Sequence, residues 1–414
     1  MKSNYKPIGN YIKRVENRNQ DLKVNRLLGL SMTKEFRETT SNIVGTDMSV
    51  YRVMNKYQFA CDFMSPIRVN KLPVVLKLDD EPNIVSPAYP VFEIKDRNEL
   101  DPEYLMMWFR RTEFDRYATF KCDAAIRGGY EWNELCETLI PVPSINKQKE
   151  VVNEYNVVKN RINLNEQLIE KFEQTASAIY KQWFIDFEFP DESGKPYKSN
   201  GGILIYNQEL QKEVPEGWSI KKLKNICEKI GSGSTPTGGK ESYFDTGIPL
   251  IRSTNVFDYN FSYNDLAFID QEQASKLINV EVKENDILFN ITGVSVARCC
   301  MVPNNIVPAR VNQHVMIIRP LYKLNILYYL QLNLCSTDSK NILLGISQSG
   351  STREALTKSE IENFEILFPN EHVLLKFEHL MKQLFSYKNL KSLENEKLNQ
   401  IKDLLLAKLA TIEN

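Results

Sequence analysis

Histidine is scarce in this chain: His314, His372 and His379 are the only three among 414 residues. That leaves little room for imidazole acid–base chemistry or for histidine-rich metal sites. Seven cysteines follow no zinc or disulfide spacing; there is no C-x-x-C, and Cys299 and Cys300 are adjacent. A reducing cytoplasm is the simplest compartment for such a pattern. No apolar run approaches the ~20 residues of a membrane span, and the polar stretch from Met1 to Asn10 has no signal-peptide core. A membrane role is therefore not expected. Strong charge of either sign is missing too. The net charge is −1; residues 1–145 hold 21 basic and 20 acidic side chains, and residues 215–369 hold 15 and 16. Phosphate attraction supplies most non-specific affinity for DNA. A chain this neutral should hold a duplex weakly unless partners add charge.

Fragments that imitate catalytic motifs fail on inspection. Asp101-Pro102-Glu103-Tyr104 resembles the D-P-P-Y loop of adenine methyltransferases, but its third position is Glu and no glycine-rich cofactor loop accompanies it. It reads as a turn opening a helix, with Pro102 at the first helical position. Gly231–Lys240, GSGSTPTGGK, looks like a phosphate loop, yet the required first glycine falls on Ser234 and Glu241 replaces the metal-binding hydroxyl. Pro190-Asp191 with Lys195 lacks nuclease spacing, and no Ser/His/Asp or Cys/His set stands out. The chain is expected to be non-catalytic, with no metal and no cofactor of its own.

What is present is a repeat. Arg127–Pro143, RGGYEWNELCETLIPVP, and Arg353–Pro369, REALTKSEIENFEILFP, align at an offset of 226. Leu135 meets Ile361, Ile140 meets Ile366 and Pro143 meets Pro369. The register continues ungapped: Asn163-Leu164 meets Asn389-Leu390, Glu170-Lys171 meets Glu396-Lys397, and Gln174 meets Gln400. At an offset of 215, Ile8, Asn10 and Tyr11 meet Leu223, Asn225 and Ile226. One module occurs twice, with an insertion between its anchors.

Each module ends in a long helix. Val151, Tyr155, Val158, Ile162, Asn165, Ile169, Phe172, Ala176, Ile179 and Trp183 alternate spacings of four and three, a heptad seam with one polar member. In the second copy Leu380, Leu384, Tyr387, Leu398, Ile401 and Leu405 keep a seam that Lys391 and Glu394 interrupt. Two readings are open: each helix packs on its own domain, or the seams pair with each other. Helices on the order of 50 Å long exceed one domain face, which favours antiparallel pairing about a pseudo-twofold axis. β-like runs at Asp286–Ile291, His314–Arg319 and Tyr89–Ile94, with helical patches at Glu103–Arg110 and Ile326–Leu334, indicate α+β domains. The plan is then a domain over residues 1–145, a helix over 146–186, a linker over 187–214, a second domain over 215–369 and a second helix over 370–414.

Pro215-x-Gly217-Trp218, Leu223, Ile226, Ser232-Gly233-Ser234-Thr235-Pro236, Ile248-Pro249-Leu250-Ile251-Arg252 and Asp286-Ile287-Leu288-Phe289 follow one another in the second module. Trp183-Phe184-Ile185-Asp186-Phe187-Glu188 closes the first helix. This order, within a duplicated domain-plus-helix plan covering the whole chain, resembles the specificity subunit of type I restriction–modification systems. The first module departs from the pattern, lacking the G-W entry and the S-G-x-T-P loop. The resemblance implies two target-recognition domains that each read one half of a bipartite sequence in double-stranded DNA. It implies helices that fix the spacing and dock two adenine methyltransferase subunits, and through them restriction/translocase subunits. S-adenosylmethionine, ATP and magnesium would sit on those partners. Unlike module interiors imply unlike half-sites.

Base readout favours Arg or Lys on guanine and Asn or Gln on adenine. Candidates are Lys34, Arg37, Arg68, Arg127 and Tyr130 in the first domain. In the second they are Ser234, Thr235, Arg252, Ser253, Asn255, Arg298, Gln348, Ser349 and Arg353. Each could instead be a solvated residue or a phosphate contact. Arg127 and Arg353 occupy equivalent places, where a shared structural ion pair is the competing account. Trp108-Phe109-Arg110-Arg111 reads as core packing with an exposed arginine pair. The competing function is a non-catalytic coiled-coil scaffold joining two protein-binding domains.

Overall fold

The computed structural model describes residues 4–39, 45–123, 129–236, 238–239, 243–348 and 354–412. They form two compact units, one of Met1–Asn165 with Leu393–Asn414 and one of Glu166–Ser392. Each unit takes one globular domain together with part of both long helices.

In the first unit the strands are β1 (Tyr5–Pro7), β2 (Ile12–Val15), β3 (Leu28–Leu30), β4 (Phe36–Glu38), β5 (Arg52–Met54), β6 (Gln58–Cys61), β7 (Val74–Leu76), β8 (Asn83–Val85), β9 (Val91–Ile94) and β10 (Leu139–Pro141). An antiparallel sheet of order β2-β9-β6-β7 carries the fold, while β1-β10, β3-β4 and β5-β8 are short ladders. Alternating apolar residues turn one sheet face to a core in which Phe59 and Phe92 stack at 4.9 Å and Phe109 meets them edge-on. The helices are α1 (Ser65–Val69), α2 (Pro102–Phe109), α3 (Thr112–Asp123), α4 (Trp132–Glu137) and the long α5 (Ile145–Tyr180). Asp101 caps α2 by accepting the Glu103 and Tyr104 N–H groups, with Pro102 opening the helix. Gln148, wholly buried in the first turns of α5, fastens the same helix start. Its Oε1 accepts the Asp101 N–H at 2.8 Å and its Nε2 donates to the Glu99 and Pro143 carbonyls. The C-terminal Leu406 and Leu409 join Val151, Val152 and Tyr155 in this core. The Tyr5 hydroxyl donates to the Ala410 carbonyl at 2.7 Å, so both chain ends close the same unit. One expectation needs correction: Arg111 is not exposed but buried, its guanidinium 4.4 Å over the Trp108 ring.

The second unit contains β11 (Leu204–Asn207), β12 (Lys212–Pro215), β13 (Ser219–Lys222), β14 (Cys227–Ser232), β15 (Ile248–Ile251), β16 (Ala267–Ile269), β17 (Glu281–Val282), β18 (Ile287–Asn290), β19 (Cys299–Met301), β20 (Ala309–Val311), β21 (Val315–Pro320) and β22 (Glu365–Phe368). Its helices are α6 (Gln271–Lys276), α7 (Leu327–Cys335), α8 (Thr337–Gln348), α9 (Lys358–Asn363) and the long α10 (Glu371–Lys408). The antiparallel sheet β14-β21-β18-β19 repeats the strand order of β2-β9-β6-β7, and β13-β22 repeats β1-β10. The repeat extends to single bonds. The Ile8 N–H donates to the Thr138 carbonyl and the Leu223 N–H to Phe364; Lys95 N–H reaches Tyr11 and Leu321 N–H reaches Ile226. A second sheet, β16-β15-β20-β17, has its own core around Leu250, Ile251, Ile269 and Val311. Its counterpart in the first unit is β4-β3-β8-β5, whose β3 and β8 meet in parallel through the Leu27–Ile84 bridge as β15 and β20 do through Ile251 and Val311.

The W-F-I-D-F motif welds the end of α5 to this unit. Its residues run through a π turn, Lys181–Ile185. Phe184 meets Phe377 and Tyr329 at 4.7 Å, and Phe187 and Phe189 pack on Trp218 at 5.5 and 5.3 Å. The segment expected as a linker thus supplies Phe187, Phe189 and Val214 to the core. Gly217 takes a φ of +80° in the turn closed by the Trp218 N–H on the Pro215 carbonyl, a backbone only glycine adopts without strain.

The two long helices pack together, antiparallel within each unit. In the first, Asn165 Nδ2 donates to Asn395 Oδ1 at 2.9 Å, Arg161 pairs with Glu394 at 2.6 Å, and Val151 shares a core with Leu409. In the second, Glu173 pairs with buried Lys388 at 2.7 Å while Trp183 and Phe184 meet Phe377. On α5, Val151, Tyr155, Ile162 and Asn165 of the expected seam are buried and Val158, Ile169, Phe172 and Ile179 partly so. On α10 the seam shifts by one residue. Leu380, Tyr387 and Ile401 are exposed, whereas Phe377, Met381, Phe385, Lys388, Asn395, Leu406 and, just past the helix end, Leu409 are buried and Leu384, Leu398 and Leu405 lie at the margin. The physical reason is that α10 is apolar on two faces and its buried face carries Lys388 and Asn395. Periodicity of apolar residues alone therefore selects the neighbouring stripe.

Candidate nucleic-acid interface

Strand register brings the loops of the second unit to one edge. Ser232 pairs with Met316, Val315 with Asn290, and Phe289 with Cys299. The segments 233–236, 312–314 and 291–298 therefore leave the sheet at the same end. In the second sheet Ile251 pairs with Val311 and accepts the Asn312 N–H, which adds the 252–255 turn. Segment 354–356 completes the cluster: Gly293 N–H donates to the Glu354 carbonyl and Leu356 N–H to Ile291.

Buried amides and one glycine hold these loops. Asn290 Nδ2 donates to the Ser253 and Val256 carbonyls, and Asn312 Oδ1 accepts the His314 N–H at 3.0 Å. At Gly233 a Cβ would lie 1.6 Å from the Val311 carbonyl oxygen, so only glycine lets the S-G-x-T-P loop rest on that strand. Asp286 is fully buried and bidentate with Arg319, at 2.6 and 2.8 Å. Of the motif residues, Gly233 is a girder of the loop cluster, whereas Asp286 fastens the opposite end of the sheet, where Ile287 pairs with Ile318.

Several predicted residues meet at this edge: Ser234 and Thr235 are exposed, Ser253 is half-buried beside them, and Gln348 donates to Glu354. Arg298 is half-buried over the exposed Phe257 ring at 5.2 Å. Arg252 gives its Nη2 to the Asp265 carbonyl and lies 5.6 Å over Tyr243, so its fork is partly engaged. Asn255 is a correction. It is fully buried, accepting the Arg252 N–H and spending both its N–H donors on the Ser262 and Asn264 carbonyls, so it cannot reach a base. Ser349 and Arg353 lie outside the described residues, as does Arg127 in the first unit.

In the first unit the same strand ends release loops 62–73 and 86–90, since Val15 and Ala60 both pair with Val91. Arg68, at the end of α1, and Arg37, on β4, are exposed. Two candidates there are corrected. Lys34 is buried, paired with Asp115 at 2.8 Å and bonded to the Phe109 carbonyl. Burial pulls its pKa below the ordinary lysine range, with Asp115 opposing. Tyr130 is buried, its hydroxyl 3.1 Å from Thr138 and its pKa raised by desolvation. Both residues hold the frame together.

Sequence reasoning missed Thr292, Val294, Gln313 and His314. Thr292 and His314 are half-buried and the other two exposed, with Val294 97% exposed at a loop tip. The available signal was the Asn312-Gln313-His314 run between two strand-like segments. Among the described residues no group of His, Cys, Asp and Glu could hold a metal ion, and no helix is long and apolar enough to cross a membrane. Burial holds the Cys61 and Cys300 thiols above their ordinary range, and contact with Cys335 does the same for Cys299, which leaves them neutral core side chains.

Known proteins share this arrangement. Residues 215–403 match the family model for the type I restriction modification DNA specificity domain. The type I restriction enzyme MjaIX specificity subunit of Methanocaldococcus jannaschii is 30% identical over 319 residues, 74% of this chain and 68% of that protein. The chain belongs to the type I restriction enzyme specificity subunits. Another relative of this specificity subunit, the HindI specificity subunit of Haemophilus influenzae, is 22% identical over 381 residues, covering 79% of this chain and 80% of its own. The crystal structure of a type I restriction–modification S subunit from M. genitalium matches 99% of this specificity subunit and 96% of its own chain at a TM-score of 0.54, with 14% identity, which shows a shared fold.

Proposed function

We propose that each unit of this specificity subunit reads one half of an asymmetric bipartite target in double-stranded DNA. The observation that carries the reading is one frame used twice with unlike loops at the same strand edge. In the second unit that edge presents Thr235, Thr292, Gln313, His314 and Arg298; in the first it presents Arg68 with Arg37 nearby. Phosphate contacts position and base contacts specify, so one frame with two loop sets supplies two readings.

The paired helices set the spacing between halves and dock two adenine methyltransferase subunits. Each unit offers exposed apolar positions for this: Val157, Leu164, Ile401 and Leu404 in the first, Leu380, Tyr387 and Leu390 in the second. Restriction/translocase subunits join through the methyltransferases. S-adenosylmethionine, ATP and magnesium act on those partners, and the target adenine is flipped into the methyltransferase. The near-neutral charge fits a subunit whose partners help to clamp the duplex. The chain itself contributes recognition and geometry and no bond-making step.

Methylome sequencing of cells co-expressing the chain with its methyltransferase tests this. The expected result is a new adenine mark in a bipartite motif with unlike halves. Identical halves, or no mark from an assembled complex, overturns the proposal.

A further inference from the structure

At the centre of the loop edge in the second unit lies one exposed amide held from both sides. The Thr235 hydroxyl donates to Gln313 Oε1. Gln313 Nε2 lies 3.0 Å from His314 Nε2, and His314 Nδ1 lies 2.7 Å from Thr292 Oγ1. The imidazole thus directs Nδ1–H to Thr292 and offers Nε2 as acceptor. The His314 backbone is pinned as well, its N–H on Asn312 Oδ1 and its carbonyl accepting the Ile291 N–H. The run Thr235–Gln313–His314–Thr292 ties three separate loops together.

A glutamine amide has two N–H donors and two carbonyl lone pairs. Thr235 occupies one lone pair and His314 one N–H. One donor and one acceptor remain, side by side on an exposed side chain whose rotation is fixed. Turning the amide over exchanges the roles of Thr235 and His314 and leaves the same outward pair. In the major groove that pair matches adenine, whose N7 accepts and whose N6 amino group donates. Guanine offers two acceptors there, and cytosine and thymine present no such adjacent pair. A free glutamine loses rotamer entropy on binding; this one is already ordered.

We infer that Gln313 is a specificity-determining residue that reads one adenine in the half-site of the second unit, with His314 and Thr235 as positioning residues. The inference rests on the proposed reading of DNA by this unit. His314 touches no base; it sets which way the amide faces.

The test is methylome sequencing of the chain co-expressed with its methyltransferase, as wild type, Gln313→Ala and His314→Ala, together with binding of each purified complex to the wild-type target duplex. Gln313 is exposed, so its truncation leaves the fold and assembly intact. Gln313→Ala should relax one adenine position in one half of the motif to mixed bases and leave the other half unchanged. Affinity for the wild-type duplex should fall about 10- to 100-fold, with little loss for duplexes altered at that position. His314→Ala should relax the same position to a smaller degree. A Gln313→Ala complex that methylates the unaltered motif overturns the inference and leaves the proposed function standing. A wild-type complex that assembles and leaves no bipartite mark overturns the proposed function itself.

Discussion

The two units fasten a helix start to a long helix with different chemistry. In the first, neutral Gln148 on α5 holds the opening of α2. In the second, Glu378 on α10 holds the opening of α7, accepting the Tyr329 N–H at 2.7 Å and the Tyr328 N–H at 3.2 Å. Elsewhere the frames share backbone hydrogen bonds, through Ile8 and Thr138 in one and Leu223 and Phe364 in the other. The same task is done from different positions, since Gln148 corresponds in the repeat to Leu374 and not to Glu378. What must match is the position of the strand edge. What differs is what projects from it and how fully the second sheet is built: two short ladders joined by a single Leu27–Ile84 bridge in the first unit, a continuous four-stranded sheet in the second.

The largest test attacks the shared positions. Ile8 and Leu223 are both fully buried. Ile8→Ala and Leu223→Ala should each destabilise their own unit by about 2–5 kcal/mol, the cost of emptying a packed aliphatic site. Hydrogen exchange read peptide by peptide should assign each loss to the unit carrying the change. A loss confined to only one of the two variants would break the equivalence.

A smaller effect separates the units by pH. Burial raises the Glu378 carboxyl to about 7, against the opposing backbone N–H groups. Its folded pKa lies above the unfolded value, so the folded state holds the extra proton. Stability is complete below about pH 4.5 and falls as pH rises through 7. Discounted for the partial exposure of the side chain, that loss is about 2 kcal/mol at alkaline pH. Glu378→Gln should flatten the dependence of the second unit between pH 5 and 8, while the Gln148 anchor gives the first unit no slope of this origin. Chemical denaturation at several pH values, followed by unit-specific exchange, measures it; an undiminished slope in the variant would refute the assignment.

The frame was legible because repetition is visible in residue type and spacing. Leu135 over Ile361 and Ile8 over Leu223 proved to be equivalent buried positions; the strand-like runs at Asp286–Ile291 and Tyr89–Ile94 contain β18 and β9, and the run His314–Arg319 covers β21 but for Pro320. The α10 register was not legible, because Lys388 and Asn395 are buried through Glu173 and Asn165 and burial by pairing leaves no apolar mark. Lys34, Tyr130 and Asn255 misled for the opposite reason. Their types suit DNA, but Asp115, Thr138 and the Ser262 carbonyl had already taken their polar groups. Gln313 was overlooked because its meaning depends on Thr235, 78 positions away in sequence.

The smallest test asks whether the two edges share a mode of holding the backbone of DNA. Arg68 follows β6 and Arg298 precedes β19, so both belong to the loop between the equivalent third and fourth strands of each sheet order. Arg68 is exposed and Arg298 half-buried, and neither has a carboxylate partner among the described residues. If they are phosphate contacts, Arg68→Ala and Arg298→Ala should each change stability by less than about 0.5 kcal/mol. Each should weaken duplex binding by the assembled complex on all sequences alike, and each should lower the slope of log affinity against log salt by about 1. The methylated motif should not change. A relaxed base position in one variant only would mean that this loop positions DNA in one unit and reads it in the other. The frame would then preserve where a side chain stands and not the job it does.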